Sequence, residues 1–192
     1  MISFVEQTIG RIQYPVVLVD DASIKAARTM RTRRDSHYGN IYQEAVGDER
    51  WVGDLGEIVL DHWLTVKNIP HLWLAGDNAA GKHDFEISGV KVGAKAVKRK
   101  VPMRPNFTAQ ITARHADEPI DQFFFMCFEF PRKAMWLLGG ITKQDFLRDA
   151  RHYGAGERVH QNYVVREGHE IFNIEIRHLQ SPNAWVSSLG KI

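Results

Sequence analysis

Apolar residues recur along this chain at two periods, and the alternation between them sets out the elements. From Val52 or Gly53 to about Val66 the period is helical: Leu55, Val59, Trp63 and Val66 follow at steps of four, four and three, and Ile58 widens the face. Asp54 lies near the start of this helix and Glu57 at the edge of its apolar stripe. In HDFEISGVKVGAK (83–95) the period is two, and Ser88-Gly89 between the runs predicts a tight hairpin with Gly89 at positive φ. With those two residues as the loop, Ile87 pairs with Val90, Glu86 with Lys91 and Phe85 with Val92, and Asp84 stands opposite Gly93. Alternation then puts Asp84, Glu86, Lys91, Gly93 and Lys95 on one face, and Phe85, Ile87, Val90, Val92 and Ala94 on the other. One face packs and the other is charged.

Elsewhere the pattern is plainer. Residues 1–15 are ambiguous, and VVLVD (16–20) reads as a short strand or buried run. DDASIKAARTMRTRRDSHYG reads as a helix capped by Asp20 or Asp21 and stopped by Gly39, with Arg28, Arg31, Thr32 and Arg34 on a basic face. GNIYQEAVGDERW (39–51) is a connector or short helix, and NIPHLWLAG a loop and short strand. TAQITARHADEP reads as strand and turn, and IDQFFFMCFEF (120–130) as a central strand too apolar for an exposed face. KAMWLLGGI (133–141) is a further strand, and TKQDFLRDARHYG (142–154) a helix with Thr142 as N-cap. NYVVREG and HEIFNIEIRHL read as a hairpin or strand pair, and the residues from Pro182 as a tail. The elements predict one α/β domain over 1–192, with 1–50 as an N-terminal helical extension and the core at about 50–180.

Composition narrows the setting. A chain of 192 residues with 44% hydrophobic and 25% charged residues can bury a core and reads as globular. A net charge of +2 does not identify a partner. Its distribution is more informative, because RTMRTRR (28–34) and KAVKRKVPMR (95–104) concentrate the basic side chains. The single cysteine, Cys127, excludes an internal disulfide and a Cys-rich zinc site, and its apolar neighbours predict a buried residue. No apolar run reaches the roughly 18 residues of a membrane span. The N-terminus has no secretory pattern, so a cytoplasmic protein is the expectation.

Some chemistry is excluded by context. Gly76 to Lys82 fits the GxxxxGK spacing, but His83 follows where Ser or Thr should bind magnesium, and DFEI continues as a strand instead of a helix. His62, His71 and His83 lack metal-ligand spacing, and no nucleophile-elbow sequence supports a serine hydrolase. What remains is a helix carboxylate (Glu57), a strand carboxylate (Asp84) and a lysine on the next strand (Lys95). Carboxylates can hold a divalent ion that binds a phosphate oxygen and activates water, and a lysine can neutralise developing charge. Magnesium keeps several waters, so few carboxylates suffice. On this reading Asp84 is the main metal ligand, Glu57 a second or outer ligand, and Lys95 the cation facing phosphate and water.

The order of these parts resembles the PD-(D/E)xK, or restriction-endonuclease-like, nuclease superfamily: a helix with an acid (GDLGEIVLDHWL), a strand with Asp (HDFEI), a hairpin, then a strand ending in VGAK. The likeness extends, less specifically, through FFFMCFEF, MWLLGGI and TKQDFLRDA, over roughly 50–180. It implies a mixed central β-sheet flanked by helices and a Mg²⁺-dependent deoxyribonuclease, Mn²⁺ substituting, in restriction, repair or phage DNA metabolism. Glu57, Asp84 and Lys95 would be catalytic. His83 replaces the proline before the aspartate, and Gly93 replaces the acid two residues before the lysine. Three accounts of Gly93 stay open: Glu86 supplies the missing metal ligand, waters fill its place, or the site is impaired and the fold serves nucleic-acid binding or regulation. The basic Lys98, Arg99, Lys100 and Arg104 directly follow the site, and with Arg31 and Arg34 they are candidates for phosphate contact. The expected partner is double-stranded DNA, not a membrane, with a homodimer left open.

Overall fold

The computed structural model describes residues 3–39, 49–75 and 82–189. Most of the expected connector at 39–51 and of the glycine-rich stretch at 76–82 lies outside them. Twelve strands and four α-helices make up these residues: β1 (Phe4–Ile9), β2 (Ile12–Leu18), α1 (Asp21–Tyr38), α2 (Trp51–Val66), β3 (His71–Trp73), β4 (Phe85–Ile87), β5 (Val90–Arg99), β6 (Thr108–Thr112), β7 (Gln122–Glu129), β8 (Ala134–Thr142), α3 (Lys143–Asp149), β9 (Arg151–Tyr153), β10 (Arg158–His160), β11 (Tyr163–Val164), β12 (Ile171–Glu175) and α4 (Pro182–Leu189). None of the described helices is long and apolar enough to cross a membrane.

The chain is α/β, built on a seven-stranded mixed sheet in the order β1-β2-β8-β7-β5-β4-β3. Among the described strands only β5 and β7 pair in parallel, and the polypeptide between them makes the crossover that a parallel pair needs. All eight residues of β7 are buried, because both of its faces are covered. On one face, Phe124, Met126 and Phe128 pack with Val52, Leu55, Val59, Leu60 and Trp63 of α2. On the other, Phe123, Phe125 and Cys127 pack with β6, α3 and β12. A second sheet, β6-β12-β9, and a small β10-β11 ladder lie beyond the first. Burial pushes the Cys127 thiol up to about 12, so it behaves as an apolar filler.

Local expectations mostly hold near the centre. The β4–β5 register is Phe85 with Val92, Glu86 with Lys91 and Ile87 with Val90, as alternation predicts. Ser88 at φ 52 and Gly89 at φ 78 form the turn, so the serine shares the left-handed conformation expected of the glycine alone. Asp20 caps α1 by accepting from Ser23 N at 2.7 Å, and Thr142 caps α3 by accepting from Asp145 N at 3.0 Å.

Four expectations fail away from the centre. The N-terminal part is a helical extension only in α1: β1 and β2 instead lengthen the central sheet through the antiparallel pairing of β2 with β8. Helix α3 ends at Asp149 instead of Gly154, because Arg151–Tyr153 are taken as strand β9 by β12. NYVVREG and HEIFNIEIRHL do not pair with each other; β11 joins β10, and β12 lies between β6 and β9. The supposed tail from Pro182 is α4, anchored by the fully buried Trp185. That ring packs on Phe124 with centroids 4.6 Å apart, and its Nε1 donates to Gln122 Oε1 at 2.6 Å.

Trp185→Ala should therefore cost about 3–5 kcal/mol, the range for emptying a large buried aromatic site. Urea denaturation should show the midpoint fall with the slope unchanged; a loss under 1 kcal/mol would mean α4 is dispensable.

Candidate active site

Along β5, strand β4 pairs only with Val90–Val92, whereas β7 pairs from Val92 to Arg99. Past Val92, β5 therefore has no described β4 partner on one side, and its edge opens into a cleft of about 450 Å³. Residues of α1, α2, β6 and β12 and of the segment 115–118 line this cleft together with β5. Asp84, just before β4, is held there by its backbone: its N–H donates to Val92 O at 3.0 Å, and its C=O accepts from Leu74 N at 2.9 Å. Its Oδ2 accepts from Ala94 N at 2.7 Å, satisfying a donor on the open edge of β5.

Glu57 reaches the same cleft from α2 because Gly56 lets the helix come close to the sheet. A Cβ at Gly56 would stand 3.0 Å from both Ala96 Cβ and Met126 Cε. Glu57 is 5% exposed and fully engaged. Arg34 grips it as a fork, Nη1 donating to Oε1 at 2.6 Å and Nη2 to Oε2 at 2.8 Å, and Trp73 Nε1 donates to Oε2 at 3.0 Å. Arg34 Nη1 also donates to Asp54 Oδ1 at 2.9 Å, and Arg31 donates to Asp54 through Nε at 2.7 Å and Nη2 at 3.0 Å. Arg50 closes the lattice with two bonds to Asp35, at 2.9 and 2.7 Å. The structure thus places Arg31 and Arg34, both expected on DNA phosphates, in ion pairs with α2 carboxylates at the cleft wall.

Lys95 Nζ donates to Glu118 Oε2 at 2.8 Å, with both side chains largely buried. Charge is unevenly met around Asp84. Burial raises its pKa, Glu57 and Glu118 add repulsion, and Lys95 and the Ala94 N–H offset only part; the carboxyl is pushed up to about 7. Burial and the adjacent Lys95 hold His115 well below the usual imidazole range, so it lines the cleft as a neutral ring. Burial also raises Asp54, which its two arginines only partly counter.

Of the site residues read from the sequence, Glu57, Asp84 and Lys95 come together in this cleft, and Lys98 and Arg99 line it further along. Arg99 is braced, donating to Thr108 O at 2.8 Å and lying over the Phe107 ring. Lys100 and Arg104 are exposed and do not line the cleft. Glu86 does not line it either: it is half-exposed, opposite Lys91 across the hairpin and 3.9 Å from His83 Nε2. Sequence reasoning missed Glu118, His115 and the basic Arg50, Lys82 and Arg166, all lining residues. Glu118 lies in ARHADEP, where a turn was expected, and its only sequence signal is an acid just before a buried strand.

Among the described residues, no three His, Cys, Asp or Glu side chains form a group that could hold a metal ion together. A hard carboxylate at Asp84 and room for waters in the cleft are donors of the kind that magnesium takes.

Two outcomes follow. Since Asp84 has its pKa raised on folding, from 3.8 to about 7, its proton stabilises the fold fully below pH 4, and that contribution is lost as pH rises towards 7. Stability should then fall between pH 4 and 7 by on the order of 1–3 kcal/mol, and Asp84→Asn should remove the slope in urea titrations at several pH values. Arg34→Ala leaves Glu57 and Asp54 short of a partner and should cost about 3–5 kcal/mol by the same assay.

Comparison of the chain with protein-family models finds no match, and comparison with curated protein sequences finds none either.

Proposed function

We propose that this protein is a Mg²⁺-dependent deoxyribonuclease with a restriction-endonuclease-like core. One observation carries the reading: the β4–β5 hairpin adopts the register that puts Asp84 and Lys95 in one cleft, with Glu57 supplied by the preceding helix. The element order gives further support, since α2, the β3–β4–β5 meander and the parallel β7 form a mixed sheet with a helix over it. Asp84 would hold the ion, with Glu57 as an outer ligand once released by Arg34. When bound, the ion supplies Lewis acidity towards a nonbridging phosphate oxygen and lowers the pKa of a water. Lys95 faces the same space and neutralises charge developing on the phosphate. Lys98, Arg99, Lys82 and Arg166 make the rest of the cleft basic, as a duplex backbone requires.

A second reading has its own observation. Arg34 clamps both oxygens of Glu57, and Gly93 offers no acid, which suits a catalytically impaired fold that binds or regulates nucleic acid.

Purified protein incubated with plasmid, linear and single-stranded DNA in Mg²⁺ or Mn²⁺ separates the two. The nuclease reading expects cleavage that EDTA stops and that Asp84→Ala and Lys95→Ala each lower by about 100-fold or more. Cleavage unchanged in both variants would refute it. Salt-dependent DNA binding with no cleavage under any condition favours the second reading.

A further inference from the structure

Strand β5 leaves part of its backbone unanswered inside the cleft. Asp84 Oδ2 takes the Ala94 N–H, so the peptide groups of that residue point away from β7, towards the side that β4 occupies earlier in the strand. Peptide groups of alternate residues point the same way along a strand, and those of Ala96 and Lys98 therefore face the same edge. Lys98 O accepts from Arg99 Nη1 at 3.2 Å. Between these two, the Ala94 C=O and both the N–H and the C=O of Ala96 have no hydrogen-bond partner among the described residues. Folded proteins normally cover or blunt such an edge. Here Ala94 and Ala96 line the cleft, and Ala96 stays partly exposed although its methyl group faces Gly56 of α2.

The chemistry of the edge sets what could complete it. It presents acceptor, donor and acceptor in turn, with equivalent groups about 6.7 Å apart, two residues of strand rise. A nucleic-acid backbone offers phosphate acceptors; it could answer the Ala96 N–H but would cover two carbonyls and leave them unmet. An extended peptide alternates N–H and C=O at the same repeat and answers all three groups. Charge then selects among peptides. The carboxylates lining the cleft are engaged: Glu57 by Arg34, Glu118 by Lys95, Asp84 by the Ala94 N–H and Glu49 by Trp51 Nε1. Lys82, Arg99 and Arg166 line the same cleft, and among the described residues no carboxylate forms an ion pair with them.

We infer that the free edge of β5 is a docking strand for an extended acidic peptide of a partner protein, which joins the sheet on the line that β4 leaves at Asp84. The bound peptide takes the space that the nuclease reading gives to DNA, and so blocks it. The docking itself goes beyond that reading and does not need it, because it uses backbone groups and basic side chains and no metal.

The test is fluorescence anisotropy, at low salt and with the full chain, of a labelled short peptide in which glutamate alternates with valine. Two further peptides carry N-methyl groups on alternate amides, in one phase or the other. The parent peptide should bind. One methylated phase should bind about tenfold more weakly or worse and the other as well as the parent, because only one edge of the added strand meets β5. Slipping by one residue cannot rescue the weaker peptide, since valine would then stand where glutamate belongs. Ala96→Pro removes the outward N–H and spares the ladder with β7, and should weaken the parent peptide by a similar factor. Arg166→Glu should weaken it several-fold. If Ala96→Pro does not fold, the two methylated peptides decide. Equal binding of both methylated phases, or no binding of the parent peptide, overturns the docking strand. A single-stranded oligonucleotide that binds where the peptide does not gives the edge to nucleic acid; that outcome overturns the inference and leaves the nuclease reading standing. Phase-dependent peptide binding by a protein that cleaves no DNA sustains the inference and overturns that reading.

Discussion

The cleft depends on buried charge balanced across two helices. Asp54 has no exposure and Glu57 only 5%, and removing such carboxylates from water costs several kcal/mol each unless they are paired and hydrogen-bonded. Arg31 and Arg34, three residues apart on α1, meet Asp54 and Glu57, three residues apart on α2. The match of spacing lets two adjacent helix turns engage each other as a set. It also fixes where α1 lies, since α1 has one fully buried residue, Ala27, and little apolar surface to guide its docking. The ion-pair lattice supplies a register between the helices that hydrophobic contact alone would leave loose.

Strand β5 is the second constraint. It is ten residues long beside a three-residue β4, so its N-terminal third is sheet interior and the remainder becomes cleft edge. Asp84 sits where one becomes the other, and its side chain takes the first N–H left over on that edge, that of Ala94. One carboxylate oxygen is thereby committed to structure. The position of Asp84 follows from the difference in strand length, and its raised pKa follows first from burial and then from the nearby charges of Glu57 and Glu118, which Lys95 only partly offsets.

What could be read in the sequence follows from the range of the interactions that set each feature. The β4–β5 register, the α2 face, the buried β7 and both helix caps depend on residues within a few positions of one another, and period and cap chemistry reveal them. The partition of 151–175 was hidden because it is decided by competition: Arg151–Tyr153 can extend a helix, but β12 offers them a ladder. Trp185 could not be recognised as an anchor without knowing that Phe124 and Gln122, some sixty residues earlier, meet it. The candidate site divides in the same way. Asp84 and Lys95 are joined by a local hairpin, while Glu118 reaches Lys95 across twenty-three residues, and Arg31 and Arg34 reach α2 over similar distances. The basic face of α1 was visible, but not that its charges turn inward.

That inward turn bears on how the site could work. A divalent ion would compete with the Arg34 guanidinium for the same Glu57 oxygens, because both are cationic partners for one carboxylate, and Trp73 already donates to Oε2. If Glu57 is to assist an ion, Arg34 must release it, and a released guanidinium in a low-dielectric wall needs another anion at once. A DNA phosphate entering the cleft is such an anion, and Arg forks suit phosphate as well as carboxylate. Ion and substrate would then favour each other's binding, since each supplies what the other displaces. If Glu57 never leaves Arg34, Asp84 is the acid left for an ion, and α1 serves only as scaffold. The two arrangements use the same side chains and differ in one exchange of partners, so the proposed metal chemistry would turn on the strength of the Arg34–Glu57 fork.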